Sequence, residues 1–306
     1  MKIAIIGRTE ILYDSALLLV ERGHSIVCVL TAKDAPEYTR SLEDFARLAR
    51  ELGASFASGA RISEWYPFLK DAQADIGVSM NYPGIVPQGV IDLFPLGILN
   101  AHGGDLPRYR GNACQSWAIL NGESRLGLCI HRMIGGELDS GDILARSYKS
   151  ITENTKVTEA WSWMHAVTPA LMAEAVDQLS RDPSFVLERQ AKEPSSTLRC
   201  YPRRPEDGRI SWAQTALEVL RLVNASNRPY AGAFCSFKGK RVIIWDAERA
   251  QHDAPICAVP GQVLRVGKEW VDVACAQGFL RVHSVEIDGK VLAPAAIVSS
   301  IRERFQ

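Results

Sequence analysis

The 306-residue chain carries no net charge: 35 Lys plus Arg balance 35 Asp plus Glu. That balance argues against a general nucleic-acid-binding surface, which shows as a basic excess. No apolar run approaches the ~20 residues that a membrane span needs. The opening Met1-Lys-Ile-Ala-Ile-Ile-Gly7 is too short for the apolar core of a signal sequence. No Cys-x-x-Cys occurs among Cys28, Cys114, Cys129, Cys200, Cys235, Cys257 and Cys275, and the odd count argues against a complete disulfide framework. Most are expected to be reduced core residues of a cytoplasmic protein. The first strand-to-helix turn, Gly7-Arg-Thr-Glu-Ile11, lacks the G-x-G-x-x-G that brings a backbone against a pyrophosphate, which disfavours a nicotinamide dehydrogenase. No His, Cys and Asp cluster at metal-ligand spacing is present, so no metal is expected. Repeats and low-complexity segments are also missing.

What is there is an ordinary globular composition, 47% apolar and 23% charged, in a chain long enough for two domains. β-Branched runs at 2–6, 25–30 and 75–80 read as buried parallel strands, with a weaker strand at 54–57. Helical periodicity at 11–21, 41–52, 62–70 and 88–94 alternates with them. Further on, 113–120 and 157–179 read as helices, and 126–133, 142–149 and 185–189 as strands. The fold class is therefore α/β: a Rossmann-like, mostly parallel sheet with helices on both faces. Residues 191–208, rich in Pro, Ser and charge, read as a linker between a first domain at 1–190 and a second at 209–306. In the second, a helix at 212–224, a hairpin around Lys238-Gly-Lys240 and strands through 261–287 suit a small OB-like barrel. From Tyr201 onward 15 Lys and Arg face 11 Asp and Glu, a mild excess that is more often a solvated surface than an anion site. Its apolar strands could support a homodimer.

The chain is organised around Pro95-Leu-Gly-Ile-Leu-Asn-Ala-His-Gly-Gly-Asp-Leu-Pro-Arg-Tyr-Arg-Gly111. A short apolar strand, 97–99, runs into polar residues and a glycine-rich turn. Asn100 and His102, two apart, share one face of an extended chain where the strand ends. Ligands of open α/β sheets bind beyond the carboxyl ends of the strands. Asp139, in the turn Leu138-Asp-Ser-Gly141, offers the carboxylate that a polarised imidazole needs, although a turn Asp often bonds only its own backbone. Asp142 is a rival acid at the start of a strand. His131, with no partner at ligand spacing, reads as structural.

Three motifs together carry a family resemblance: Asn100-Ala-His102, the turn Gly104-Asp-Leu-Pro-Arg-Tyr-Arg-Gly111, and Asp139-Ser-Gly141. Asn121-Gly-Glu123, His131-Arg-Met133, Arg203-Arg-Pro-Glu-Asp-Gly-Arg-Ile-Ser-Trp212 and Pro229-Tyr-Ala-Gly-Ala-Phe234 extend the match over nearly the whole chain. With these the sequence resembles the folate-dependent formyltransferase family, which includes methionyl-tRNA formyltransferases and sugar-nucleotide N-formyltransferases. Gly104 and Asp105 depart from the family's usual Ser and Leu, and Asp105 adds a negative charge near the site.

The resemblance implies transfer of a formyl group from 10-formyltetrahydrofolate to a primary amine. Asn100 would donate to the oxyanion, a contribution of roughly 2.7–4 kcal/mol in oxyanion holes. His102 would act as general base or as charged stabiliser, and Asp139 would orient it. The pterin would lie against the loop with Met80, Asn81, Tyr82, Ile85 and Val86, and against Gly136 and Leu138. Tyr109 and Arg110 are candidates for the amino substrate and its phosphates, unless they only brace the turn. The loop at 31–40 is short and mixed in charge, where a tRNA-gripping member would carry a longer basic one. Together with zero net charge, this points to a nucleotide-linked amino sugar as acceptor, in surface polysaccharide synthesis. Methionyl-tRNA formylation, hydrolysis of formyl-folate and a non-catalytic nucleotide-binding module are the alternatives.

Overall fold

The computed structural model describes residues 1–306 except Lys192, which falls in the expected linker, and Ala254. The chain divides into two compact units. The first comprises Met1–Cys114, Leu126–Lys149 and Trp161–Cys200; the second comprises Gln115–Arg125, Ser150–Ala160 and Tyr201–Gln306. Among the described residues no helix is long and apolar enough to cross a membrane.

The first unit holds strands β1 (Lys2–Gly7), β2 (Ser25–Thr31), β3 (Ser55–Ser58), β4 (Ile76–Met80), β5 (Ile98–His102), β6 (Tyr109–Gly111) and β9 (Leu198–Cys200), and all but one terminal residue each of β7 (Arg125–Arg132) and β8 (Ile143–Ser150). Its helices are α1 (Glu10–Glu21), α2 (Leu42–Glu51), α3 (Tyr66–Asp71), α4 (Gln88–Ile91), the start of α5 (Cys114–Asn121) and most of α6 (Val157–Arg181). Seven strands form one sheet in the order β3-β2-β1-β4-β5-β7-β8. β1 to β5 pair in parallel, whereas β7 runs antiparallel to β5. The strand order reverses beside β1, which opens a crevice at the carboxyl ends of β1 and β4.

Strand alternation builds both faces. Ile3 and Ile5 join one apolar cluster with Phe45, Leu48 and the α6 residues Met172 and Val176. Ala4 and Ile6 join the other, with Leu30, Leu69 and Phe94. Trp161 and Trp163 pack against the first cluster. Burial pushes the Cys28 thiol up to about 12 and that of Cys129 up to about 11, which keeps both unreactive.

Three local expectations are corrected. The organising strand does not end at residue 99 but continues through His102, because β4 pairs it as far as Asn100 and β7 as far as His102. Residues 185–189 form no strand. Asp182 caps a turn through Ser184, one bridge joins Glu188 to Ile143, and Gln190 then draws the chain to the Asp139 turn. Within residues 191–208, β9 pairs in parallel with β6, Tyr109 opposite Leu198 and Gly111 opposite Cys200.

The second unit is an antiparallel β-rich body: β10 (Ala233–Phe237), β11 (Lys240–Ala250), β12 (Val263–Val266), β13 (Val271–Ala274), β14 (Phe279–Ile287) and β15 (Lys290–Leu292), with helix α7 (Ala216–Ala225). The order is β10-β11-β14-β13-β12, with β15 on β14. Lys238 and Gly239, both at positive φ, make the two-residue turn between β10 and β11. Helix α7 starts later than its periodicity implies because Thr215 and Glu218 form a capping box. Arg304 bridges to Gln262 and Phe305 to Phe237, so the chain end lies along both edges of the sheet.

Candidate active site

Asn100, His102 and Asp139 come together at the carboxyl edge of the first unit's sheet. His102 Nδ1 lies 3.5 Å from Asp139 Oδ2, with side-chain exposures of 8% and 12%. His102 Nε2 lies 2.7 Å from the Tyr109 carbonyl, which can only accept, so this nitrogen carries a proton and donates. Asp139 adopts φ +48°, which Asp tolerates better than most side chains. Its Oδ2 accepts the Gly111 amide at 2.9 Å, and Gln190 Nε2 donates to its carbonyl at 2.9 Å. Burial pushes the Asp139 carboxyl up, but His102, His131 and the Gly111 amide together outweigh it and hold the group well below the usual carboxylate range.

His131, read from sequence as structural, belongs to the same cluster. Its Nε2 is 3.2 Å from Asn100 Nδ2 and 3.4 Å from Asp139 Oδ1. The signal that could have found it is strand pairing: β7 sets His131 directly opposite Asn100. Cys114 is a second addition, with Sγ 3.6 Å from His102 Nε2. Gly104 lets the turn close on this cluster, since a Cβ there would sit 2.5 Å from His102 Nε2 and 2.3 Å from the Tyr109 carbonyl. Asp105 does not charge the site: it pairs with Arg146 at 2.6 Å, and Arg146 also donates to the Leu106 carbonyl and to Glu188.

The other expected positions divide. The Tyr109 side chain is buried, and Arg110 donates to Gln190 Oε1 at 2.9 Å, an arrangement that braces the turn. The Met80 and Val86 side chains are buried in the two apolar clusters. Asn81 donates to Tyr38 Oη, and the Tyr82 hydroxyl donates to the Gly59 carbonyl. Ile85 is 70% exposed and Leu138 37% exposed. Gly136, at φ +76°, has open space where a side chain would stand. The 80–88 and 134–138 segments adjoin, with Gly135 N–H donating to Gln88 Oε1 at 2.8 Å. Beside Asn100 in register, the buried Ser79 hydroxyl has no hydrogen-bond partner. Exposed apolar side chains, a backbone open at Gly136 and an unpartnered hydroxyl fit a flat ligand with a polar edge. Among the described residues no group of three or more His, Cys, Asp or Glu could hold a metal ion.

These side chains gather at the carboxyl edge of a doubly wound sheet, where open α/β folds bind their ligands. The chain belongs to the formyl transferase family: residues 1–176 match the family's formyl transferase model and residues 203–301 its C-terminal domain. It is 32% identical over 301 residues to a methionyl-tRNA formyltransferase of Solibacter usitatus, covering 97% of this chain and 94% of that one. To the methionyl-tRNA formyltransferase of Citrifermentans bemidjiense it is 28% identical over 302 residues, covering 96% and 92%. An N-formyltransferase structure from Helicobacter canadensis, with folinic acid and dTDP-3-aminofucose, superposes with a TM-score of 0.69 at 16% identity, covering 92% of this chain and 98% of that chain. That likeness shows the fold alone.

These relatives overturn the amino-sugar acceptor and the polysaccharide role attached to it. Full-length similarity lies with enzymes of tRNA, and the sugar enzymes are structural neighbours at low identity. The physical reason for the error is that net charge is a sum over the whole chain. It says nothing about where charges stand, and a short 31–40 loop does not measure the grip of the rest of the surface.

Proposed function

We propose that this folate-dependent formyltransferase formylates the α-amino group of methionyl-tRNA. The acceptor reading rests on similarity to methionyl-tRNA formyltransferases along 97% of the chain. The reaction reading rests on one observation, the convergence of Asn100, His102 and Asp139 at the strand end. 10-Formyltetrahydrofolate, when bound, supplies an N-linked formyl carbon that an amine can attack. Of the positions expected to hold it, Asn81, Ile85, Gly136 and Leu138 are exposed.

Asn100 supplies an amide donor for the charge that develops on the formyl oxygen. His102 Nε2 is committed to the Tyr109 carbonyl, so the ring exchanges a proton at Nδ1, beside Asp139. With Nε2–H held by Tyr109, the neutral His102 ring takes the attacking amine's proton at Nδ1 and gives it to the nitrogen that releases the formyl group, and the ionised Asp139 stabilises the charged ring in between. Asp139, tied to Gly111 N–H, keeps that ring in place. Positioning of this kind removes orientational freedom before the amine arrives.

The test is incubation of the full-length protein with 10-formyltetrahydrofolate and methionyl-tRNA, following formyl-methionine on the tRNA. Formylation should weaken steeply as salt rises, because phosphate contacts release counterions. Formate release without formylated tRNA would replace this reading with hydrolysis.

A further inference from the structure

We propose that His131 is a positioning residue for formyl transfer, holding the Asn100 carboxamide with its NH₂ available to the reacting oxygen. This rests on the reading above for the identity of the acceptor, but not for the geometry. His131 is 2% exposed in its side chain and stands on β7 opposite Asn100 on β5. Its Nδ1 is 2.9 Å from the Arg132 carbonyl, and a carbonyl only accepts, so Nδ1 carries a proton in every state that keeps this contact. In the neutral ring Nε2 is then a bare acceptor. It faces Asn100 Nδ2 at 3.2 Å, and one amide hydrogen bonds there while the other stays free.

Protonation reverses that arrangement. Nε2–H would donate to Asp139 Oδ1, 3.4 Å away, and the Asn100 NH₂ would lose its acceptor. Turning the carboxamide over would put Asn100 Oδ1 on Nε2–H and swing the NH₂ away from its catalytic side. The groups facing the ring are Asn100 and His102 from β5, the Asp139 carboxylate from the turn after β7, and the Arg132 carbonyl from β7 itself. The His102 ring stands edge-on with its centre 6.2 Å away, and one carboxylate faces both imidazoles, Oδ2 toward His102 and Oδ1 toward His131. An oxyanion donor works only if the donor, and not the carbonyl end of the amide, points at the developing charge.

Two measurements on the full-length protein test this. In the first, without substrate, ¹⁵N NMR follows the His131 ring nitrogens and the Asn100 side-chain NH₂ through the histidine range. The expected result is a neutral Nδ1–H tautomer and an Asn100 signal that moves with the same midpoint as His131. An Nε2–H tautomer, or an Asn100 signal indifferent to that titration, overturns the proposal.

In the second, His131→Leu should lower kcat by about tenfold to 100-fold with the KM for formyl-folate within about threefold of wild type. His131→Gln, whose side-chain oxygen can accept from Asn100, should recover most of kcat. A Leu variant as active as wild type, or a Gln variant no better than Leu, also overturns it. If the NMR coupling is present and methionyl-tRNA is not formylated, the acceptor reading fails and the His131 assignment stands.

Discussion

Asp139→Asn keeps the shape of the side chain and removes its charge. The variant amide oxygen can still accept from Gly111 N–H, 2.9 Å away, so the turn should hold. What is lost is the carboxylate 3.5 Å from His102 Nδ1 and 3.4 Å from His131 Nε2. At an effective dielectric of ~20, a unit pair at that distance is worth about 5 kcal/mol before desolvation is subtracted. Hydrogen bonds to charged groups retain about 1.5–3 kcal/mol after that subtraction. With about 1.4 kcal/mol per factor of ten, the expected loss in kcat is between about tenfold and 150-fold. Steady-state formylation with kcat and KM resolved is the assay, and the KM for formyl-folate should change little. A kcat within about threefold of wild type would refute the reasoning.

The same substitution has a signature in pH. Burial raises the Asp139 carboxyl, but the two histidines and the Gly111 amide lower it more, so its folded value lies below its unfolded one. Such a group stabilises the fold above its unfolded value and loses that contribution as pH falls through the folded one. The Tm advantage of wild type over the Asn variant should therefore shrink on acidification below the usual carboxylate range. A Tm difference constant with pH would contradict this account.

Gly104→Ala puts a methyl 2.5 Å from His102 Nε2 and should lower kcat about tenfold or more by displacing the ring; unchanged turnover would show that the turn yields freely. Asp105→Ala leaves the buried Arg146 one partner short, and denaturant unfolding should register a loss of about 1–3 kcal/mol. A loss near zero would mean that Glu188 and the Leu106 carbonyl satisfy the guanidinium by themselves. Thr215→Ala removes the capping box of α7 and should cost about 1 kcal/mol, read the same way, with turnover unaffected.

The legible parts of the site were those written in local pattern. Asn100 and His102 share a face because a strand repeats every two residues, and Asp139 stands out in a turn motif of fixed length. The missed parts were long-range. The partner of His131 lies 31 residues away in the chain, and Cys114 meets His102 where its Sγ also contacts the Tyr109 and Gly111 carbonyls. A net charge of zero is a whole-chain sum and carries no information about the surface that meets the acceptor. Arg110 illustrates the same limit: its charge was visible, but its engagement with Gln190, 80 residues on, was not.

Alternating apolar residues and their helical spacing determined by themselves that alternating strands and helices precede a β-rich region, since burial patterns are set within one element, whereas strand order is not. Which side chains meet at the strand end was decided only in three dimensions. Antiparallel pairing of β7 with β5 put His131 against Asn100, and Gly111 N–H fixed the Asp139 carboxylate. Contacts between elements depend on register and closure, and neither is a property of any single stretch of chain.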